Sequence, residues 1–570
     1  MSKIKIEKAY AKHRVSSFGG MREGLSKNGE SASEIRNLRI TSDGSLEKRS
    51  GWRLWKSFSD PLRGFWEGTL NDEYYVFAVA GKNLYRVYDT QNSVLIGLLN
   101  TTEGQIHFLR YNDRLYLPDG DTIRVFDTDT ESFVLARGYV PLYGRNWHPT
   151  QMGDVNEPLN LMNQNLRIHY LNARGEKSFT LPFFASSLDS VRVNNQRTTA
   201  YTFTPGSDSF TLPSAAAGDS VEVAMTISGT NALNQQLHRV TRGCLYRNGA
   251  LEQLFLYGAP QGYRIFGTTS VSDIMLAACS VFYSDCDPLY CTQSQMLLIG
   301  DTDHPVTAIT PNFDRLLAFT TKETHSISID RDQLYSYPVL SDLGCSAKDA
   351  TAQIGNDVIV LNARGVCRLH ATASDPDSLS VSNLSEALGT TWSKNLSEST
   401  VFFWDNVKQE LWVMDISKYN EGIVWIWNAE LEEWYCFDGI RALFFAFYQG
   451  KILFGAEKDL RIFEEGLGND GGTDFNAYYQ SNYMSFDSAS AIKRALRVVI
   501  SATTDGSDLQ LDLETENMLR SFLLEGKNRN APSVLDVRFA PGRFRFFRYR
   551  ITCIGNRASK IHEANFFTTL

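Results

Sequence analysis

One short strand pattern recurs five times along this chain of 570 residues. Each copy alternates apolar and polar residues and ends in a polar residue, as a half-buried β-strand does. Two pairs of copies end 38 and 40 residues apart, a spacing typical of four-stranded propeller blades. One blade cannot bury both of its faces, so the pattern predicts a β-propeller of stacked sheets. The copies are Leu84–Asp89, Ile123–Asp127, His325–Asp330, Val366–His370 and Leu460–Glu464.

The length and composition suit several β-rich domains. A chain of this size exceeds what one hydrophobic core supports, and an aromatic content of 12% favours strands. No apolar run is long enough for a membrane-spanning helix, so we expect no membrane-spanning segment. The first ten residues alternate in charge and lack an apolar stretch, so we also expect no secretory signal and synthesis in a cytoplasm.

The segments differ in composition. Residues 1–35 are rich in Gly, Ser, Lys and Glu without a sustained period, so we expect an irregular arm there, followed by a hairpin at 35–55 with Asp43-Gly44 in its turn. Pro141, Pro149 and Pro158 exclude a central strand from the stretch around them.

We therefore expect an all-β fold: a β-propeller with an inserted small β-sandwich and a C-terminal β-sandwich. The inserted unit is indicated by a stretch poor in Lys and Arg with short alternating segments. The expected domains are residues 1–60 (N-terminal arm and hairpin), 61–164 (first propeller segment), 165–241 (inserted β-sandwich), 242–466 (second propeller segment) and 473–570 (C-terminal β-sandwich).

Positive charge concentrates at the two ends of the chain. Residues 1–60 carry thirteen Lys and Arg against seven Asp and Glu, and residues 538–560 carry seven basic residues and no acidic one, although the net charge of the chain is −9. This asymmetry indicates contacts of the ends with an anionic surface or an acidic protein neighbour. Solvated faces of ordinary strands are the alternative.

The sequence contains no recognisable catalytic or cofactor motif. Walker, GxSxG, HExxH and CxxC patterns are missing, so we expect no enzyme, no catalytic residues and no cofactor. Cys279, Cys286 and Cys291 form one local cluster, but their spacing differs from that of zinc ribbons, so we expect no metal there and leave the question open. Asp119-Gly-Asp121 and the acids of 127–131 could bind calcium, and structural turns explain them better.

Four arginines near the C-terminus are the main candidate site. They are Arg543, Arg545, Arg548 and Arg550, in a stretch that also holds Phe544, Phe546 and Phe547. Side chains alternate along a strand, and a β-bulge at the doubled Phe would return all four guanidinium groups to one face. Four like charges on one face repel each other without partners, so we interpret them as subunit-interface or anion-facing residues. Nucleic-acid phosphates, carboxylates of a neighbouring subunit or domain, and water remain alternatives.

The chain resembles β-propeller tail proteins of short-tailed double-stranded DNA bacteriophages. Glu34–Trp52 is similar to their opening, in which a strand leads through an Asp-Gly turn to a Lys-Arg-x-Gly segment. Tyr139–Pro141 with Glu157–Leu161 resembles the segment that precedes their inserted domain. The last unit is similar to the sandwich that follows such propellers, whereas the region after Gln261 departs from the pattern and leaves the number of blades open.

The resemblance implies a structural virion protein of the tail hub or nozzle, assembled in the host cytoplasm. Such proteins form a homo-oligomeric ring, commonly a hexamer, between portal or adaptor proteins and tail fibres, and they continue the DNA-ejection channel. An acidic bulk would let double-stranded DNA pass without sticking.

Two other classes of function remain as alternatives. Trp412, Trp425, Trp427 and Trp434 fit packing between blades, but they could instead form a platform for host surface glycans in a tail-tip receptor-binding protein. A propeller glycosidase would need paired carboxylates that converge on a central channel.

Overall fold

A computed structural model describes residues 11–26, 30–229, 232–248, 251–259, 278–301, 303–330, 333–372, 375–389, 392–486, 489–526, 532–538 and 542–569. Within them the fold is almost entirely β, as predicted. The α-helix α1 (Ala232–His238) lies in these residues, with short 3-10 helices at Gln293–Gln295, Glu386–Leu388, Trp392–Asn395 and Ile416–Glu421. No helix in the described residues has the length and apolar character needed to cross a bilayer. The region after Gln261, where the sequence departs from the pattern of the phage tail proteins, lies largely outside the described residues.

The chain begins with five short strands that pair with distant partners rather than with each other, apart from one hairpin. This hairpin joins β3 to β4 and lies within the predicted range 35–55, with Gly44 at a φ of +76° in its turn. The five strands are β1 (Ala11–Val15), β2 (Ala32–Arg36), β3 (Leu38–Ile40), β4 (Leu46–Lys48) and β5 (Trp52–Ser57).

Two four-stranded antiparallel meanders follow. In each one, consecutive strands lie side by side, joined by short turns. The first consists of β6 (Leu62–Leu70), β7 (Glu73–Ala80), β8 (Asn83–Val87) and β9 (Ser93–Leu98). The second consists of β10 (Leu109–Tyr111), β11 (Arg114–Pro118), β12 (Ile123–Asp127) and β13 (Ser132–Leu135).

The inserted unit is one seven-stranded sheet around its own apolar core. It begins before the predicted boundary at residue 165, because Leu142–Trp147 pairs in parallel with the next strand and forms one edge. Pro141 and Pro149 flank this edge strand rather than interrupt it. The strands are β14 (Leu142–Trp147), β15 (Asn165–Asn172), β16 (Ser178–Val193), β17 (Gln196–Thr198), β18 (Thr202–Phe203), β19 (Ser207–Thr211) and β20 (Asp219–Ile227).

Two further four-stranded meanders follow the inserted sheet. The first contains β21 (Arg242–Asn248), β22 (Leu251–Tyr257), β23 (Ser280–Ser284) and β24 (Met296–Leu298). The second contains β25 (Val306–Asn312), β26 (Arg315–Thr320), β27 (Thr324–Asp330) and β28 (Gln333–Leu340).

Three more groups of four strands complete the series. The last of them takes its fourth strand, β5, from the N-terminal region of the chain. The groups are β29 (Thr351–Ile354), β30 (Asp357–Asn362), β31 (Gly365–Thr372) and β32 (Asp375–Asn383); β33 (Thr400–Asp405), β34 (Glu410–Asp415), β35 (Val424–Asn428) and β36 (Glu433–Phe437); and β37 (Phe444–Tyr448), β38 (Lys451–Ala456) and β39 (Asp459–Phe463) with β5.

The described residues thus contain seven groups of four antiparallel strands, a β-propeller-like all-β architecture. The recurring sequence pattern marks the same position in five of them, because β8, β12, β27, β31 and β39 are each the third strand of their group. Middle strands such as β34 are buried on both faces, which explains their continuous apolar runs.

The C-terminal unit is a sandwich of two sheets that enclose a common core. One sheet has the order β3-β4-β48-β43-β46 with β1 on β48, and in the other β2 joins β36 of a four-stranded group to β42-β47-β44-β45. A separate two-stranded sheet, β40 (Asn469–Asp470) with β41 (Thr473–Asp474), precedes the remaining sandwich strands. These are β42 (Ala477–Ser481), β43 (Arg494–Thr503), β44 (Asp508–Thr515), β45 (Leu519–Leu524), β46 (Ser533–Arg538), β47 (Phe547–Ile554) and β48 (Lys560–Thr569).

The expectation of an irregular arm over 1–35 is corrected by β1 and β2 in its described residues. Ala11 lies opposite Thr568, and Ile35 lies opposite Tyr479. Val15 and Phe18 are buried in the core of the sandwich. Polar composition hid these strands, because their partners lie several hundred residues away.

The chain divides into two compact units. The first, which we call the sandwich unit, comprises Met1–Arg63, Tyr88–Asn92 and Cys345–Leu570. The second comprises Gly64–Val87 and Ser93–Gly344 and contains the inserted seven-stranded sheet.

Candidate functional site

The four predicted arginines lie on the solvent side of the terminal sandwich. Strand β47 begins only at Phe547, and Phe544 forms an isolated bridge with Lys493. Between them, the backbone N–H groups of Arg545 and Phe546 donate to the Glu516 carboxylate, at 3.0 and 2.9 Å, instead of to a neighbouring strand. This irregular step buries both Phe544 and Phe547. The predicted break in alternation is therefore present and keeps the arginines outward.

Arg548 has an acidic partner within the chain. Its Nε donates to the Glu514 carboxylate at 2.6 Å, and Tyr483 donates its hydroxyl to the same carboxylate at 2.6 Å. The guanidinium also lies 4.6 Å from the centroid of the Tyr483 ring. Partial burial raises the pKa of Glu514, but these two hydrogen bonds outweigh it and hold the pKa below its ordinary value. The positive charge of Arg548 is thus neutralised by Glu514 on the neighbouring strand β44.

Arg550 stacks on an aromatic ring, whereas Arg548 pairs with a carboxylate. Its guanidinium carbon lies 3.6 Å from the centroid of the Tyr478 ring, a cation–π contact. Its Nε is buried and has no hydrogen-bond partner among the described residues. Both inner arginines of the row are therefore held in place by side chains of this chain.

Arg543 and Arg545 are the two exposed members of the row. The Asn517 side chain donates to the Arg543 carbonyl oxygen at 3.5 Å, so both arginines lie beside the turn that leads into β45. Among the described residues, no carboxylate pairs with either guanidinium group. These two charges remain available to an acidic partner.

The turn beside these arginines leads into an open sheet edge. Strand β45 is the last strand of its sheet, so one row of its backbone N–H and C=O groups has no strand partner in the described chain. Leu519 and Leu523 project from it with 65% and 64% of their surface exposed. Exposed apolar edge strands pair readily with another chain. We call Arg543, Arg545, Leu519 and Leu523 together with the backbone of β45 the open edge.

The cysteine cluster does not assemble a metal site in the region of the chain that is described. Cys291 is fully buried, and the Cys279 thiol donates to the Asp301 carbonyl oxygen at 2.7 Å. Burial raises the pKa of Cys279 to about 11, so its thiol stays protonated at neutral pH. No group of three metal-ligating side chains occurs in the described residues.

The acidic segment at 119–131 stabilises turns. Asp119 accepts the backbone N–H groups of Asp121 and Thr122, at 2.9 and 2.7 Å, and Asp127 accepts that of Asp129 at 2.9 Å. Such bonds are the Asx turns that the sequence favoured over calcium binding.

The tryptophans lie in the core rather than on a platform. Trp412, Trp427 and Trp434 are at most 2% exposed, and Trp425 packs edge-to-face against Trp392 at 5.6 Å. This is the packing role expected for them, and the three buried rings cannot stack on a glycan.

Sequence reasoning missed two buried ion pairs in the sandwich unit. Arg39 forms a bidentate pair with Glu410 at 2.6 and 3.2 Å, and Arg49 forms one with Asp470 at 2.9 and 2.6 Å. Arg49 is also 3.9 Å from the centroid of the Phe475 ring. The basic residues were visible in the sequence, but their partners lie 371 and 421 positions away, and no local pattern links them.

Several solved structures resemble this chain at low sequence identity. No protein-family model and no curated protein matches this chain. The extracellular domain of the one component system BT4673 from B. thetaiotaomicron aligns with 90% of this chain at 9% identity and a TM-score of 0.38. PorZ, a surface component of the type-IX secretion system of Porphyromonas gingivalis, aligns with 83% at 11% identity and a TM-score of 0.32. BBS1N, solved in complex with ARL6DN, aligns with 73% at 10% identity and a TM-score of 0.34.

The alignments cover 62% of the BT4673 domain, 46% of PorZ and 98% of BBS1N. This chain thus spans less than two thirds of the first two proteins. At such TM-scores the likenesses carry no information about binding partners or activity.

Proposed function

We propose that this protein is a structural, non-enzymatic virion protein of a tailed bacteriophage. Copies of it form a ring in the tail, as hub or nozzle, that continues the DNA-ejection channel and gives fibres a place to dock. The ring contacts portal or adaptor proteins, and it is assembled in the host cytoplasm.

The open edge is the observation that carries this proposal. Arg543 and Arg545 present two positive charges that no carboxylate of the described residues pairs with, beside the turn that leads into a strand with exposed Leu519 and Leu523. A chain with a net charge of −9 offers acidic surface to such a basic edge on a second copy. Charge attraction orients the copies, and burial of the leucines with added backbone hydrogen bonds holds them.

The segment that carries the resemblance to phage tail proteins also has a mechanical role. Within Glu34–Trp52, strand β2 pairs with β42 of the sandwich and contacts β36 of a four-stranded group, and β4 pairs with β48. Backbone hydrogen bonds therefore tie this group to the terminal sandwich in the sandwich unit. A protein that bears force during DNA ejection benefits from such continuous sheets.

Light scattering and negative-stain microscopy of the purified full chain test the proposal. We expect a ring of about six copies with an axial hole, the number that the resemblance implies. Head-to-tail contacts form such a ring when the rotation between successive copies closes. The double variant R543E/R545E is expected to shift the equilibrium toward the monomer. The control R192E/R197E makes the same charge change on exposed arginines of the inserted sheet and is expected to leave the ring intact.

Two results would contradict the proposal. The first is a wild-type protein that stays monomeric at micromolar concentration, with or without tail extracts. The second is an antibody against the protein that labels no region of the tail in purified virus particles. If R543E/R545E leaves the ring intact, the open edge is not part of the interface between copies.

A further inference from the structure

The sandwich unit contains a cavity of about 380 Å³ that is separate from the open edge. It lies where the β33–β34 and β37–β38 turns meet the end of β39 and the β3–β4 hairpin. Its volume is in the range of small-ligand sites. Every residue that lines it belongs to the sandwich unit.

Aromatic rings form the inner wall of this cavity. Trp412 lies 5.6 Å from Phe437 and 5.6 Å from Phe463 between ring centroids, and all three line the space. Phe447 and Ile452 are half-buried and line it as well. This wall favours a flat or branched apolar group over a fully polar ligand.

Arg39 lines the same cavity, and one edge of its guanidinium group is unused among the described residues. Its Nε and Nη2 donate to Glu410, which occupies one bidentate edge of the planar group. The other edge, made by Nη1 and Nη2, has no hydrogen-bond partner in the described residues. A guanidinium edge of this kind matches the two oxygens of a carboxylate.

Lys408 adds a second positive charge at the rim. Among the described residues its ammonium group forms no ion pair. The nearby positive charge of Arg39 and a partial loss of water around the ammonium lower the pKa of Lys408. The charges of Glu410, Asp405 and Glu465 offset this only in part. An anion bound between Arg39 and Lys408 would relieve their mutual repulsion.

The acidic residues of the lining are largely engaged elsewhere. Asp405 accepts the backbone N–H groups of Val407 and Lys408, at 3.0 and 3.2 Å, and Glu464 pairs with Arg53. Glu465 is the remaining carboxylate of the lining, and its charge acts on Lys408, which forms no ion pair in the described chain.

We infer that this cavity binds a small carboxylate that carries an aromatic or branched apolar body. The carboxylate bridges the free edge of Arg39 and the Lys408 ammonium, and the body packs on Phe447, Ile452 and Phe463. This inference does not depend on the proposed tail function.

Calorimetric titration of the full chain with 3-phenylpropionate, together with Trp emission, tests the inference. We expect saturable binding of the acid and at least tenfold weaker binding of its amide, because a hydrogen bond to a charged group contributes roughly this much. The variant Lys408→Met, which keeps the length of the side chain at an exposed position, is expected to bind the acid about tenfold more weakly. Lys458→Met, on an exposed turn outside the cavity, is the matched control with unchanged binding.

The same titration separates two sources of the carboxylate. A tripeptide that ends in Phe with a free carboxylate, compared with its amidated form, shows whether a chain terminus can occupy the cavity. Tighter binding of the peptide identifies a protein terminus, and tighter binding of 3-phenylpropionate identifies a free acid. Equal affinity for acid and amide, unchanged affinity in Lys408→Met, or no saturable binding of any probe would overturn the inference.

Discussion

Replacing Glu410 by alanine is expected to destabilise the sandwich unit by about 3–5 kcal/mol, the usual cost of removing one partner of a buried ion pair. Glu410 is 1% exposed and accepts from four donor atoms. These are Arg39 Nε at 2.6 Å, Arg39 Nη2 at 3.2 Å, Trp412 Nε1 at 3.1 Å and the Tyr435 hydroxyl at 2.7 Å. Without Glu410, the largely buried Arg39 charge loses its ion-pair partner and two neutral donors lose their acceptor.

Two related variants separate the charge from the hydrogen bonds. Glu410→Gln keeps an acceptor oxygen and the size of the side chain, so about half of the loss is expected. The double variant R39M/E410M removes both ions and replaces them with apolar volume, which is often neutral for a buried pair. It leaves only the Trp412 and Tyr435 donors unsatisfied, so we expect it to be more stable than Glu410→Ala alone.

Guanidinium denaturation followed by Trp emission measures these effects. Eight of the ten tryptophans belong to the sandwich unit, so the signal reports its unfolding. At a slope of roughly 4 kcal/mol per molar denaturant, a loss of 4 kcal/mol moves the midpoint down by about 1 M. The control Glu432→Ala breaks an exposed pair with Arg368 and is expected to cost less than about 1 kcal/mol.

A midpoint for Glu410→Ala within about 0.2 M of the wild type would refute the reasoning, because the carboxylate would then contribute little. A double variant as unstable as Glu410→Ala would show that the buried charge is not the cause of the loss.

Three further predictions concern packing and charge. Phe18→Ala empties a site that is 1% exposed and is expected to cost about 3–5 kcal/mol, read as a lower denaturation midpoint and faster proteolysis of the N-terminal strands. Because the folded-state pKa of Glu514 is lowered, its pair with Arg548 stabilises the fold above the ordinary glutamate pKa and loses this effect as the pH falls below it. Acid titration of Arg548→Leu is expected to show a weaker loss of stability with falling pH than the wild type. Gly51→Ala would place its Cβ 1.8 Å from the Asn469 carbonyl oxygen, so the backbone must shift, and we expect a lower melting temperature from a cost of about 1–3 kcal/mol.

Local patterns in the sequence predicted the individual strands well. The alternating pattern identified the third strand of five groups, and Asp43-Gly44 located the β3–β4 turn. The doubled Phe546-Phe547 predicted the break before β47. These features depend on residues within one strand or turn, because side-chain alternation and positive φ are local properties of the backbone.

The choice of partners was decided by the tertiary structure. Strand β1 pairs with β48 and β5 pairs with β39, although neither sequence identifies its partner. Backbone hydrogen bonds are chemically alike in every strand, so pairing depends on which faces must be buried together. The partners of charged residues were also decided by the tertiary structure. Arg548 pairs with Glu514 on the adjacent strand, whereas Arg543 and Arg545 are exposed. The sequence alone does not distinguish these arginines, because they differ only in the residues that surround them in the folded chain.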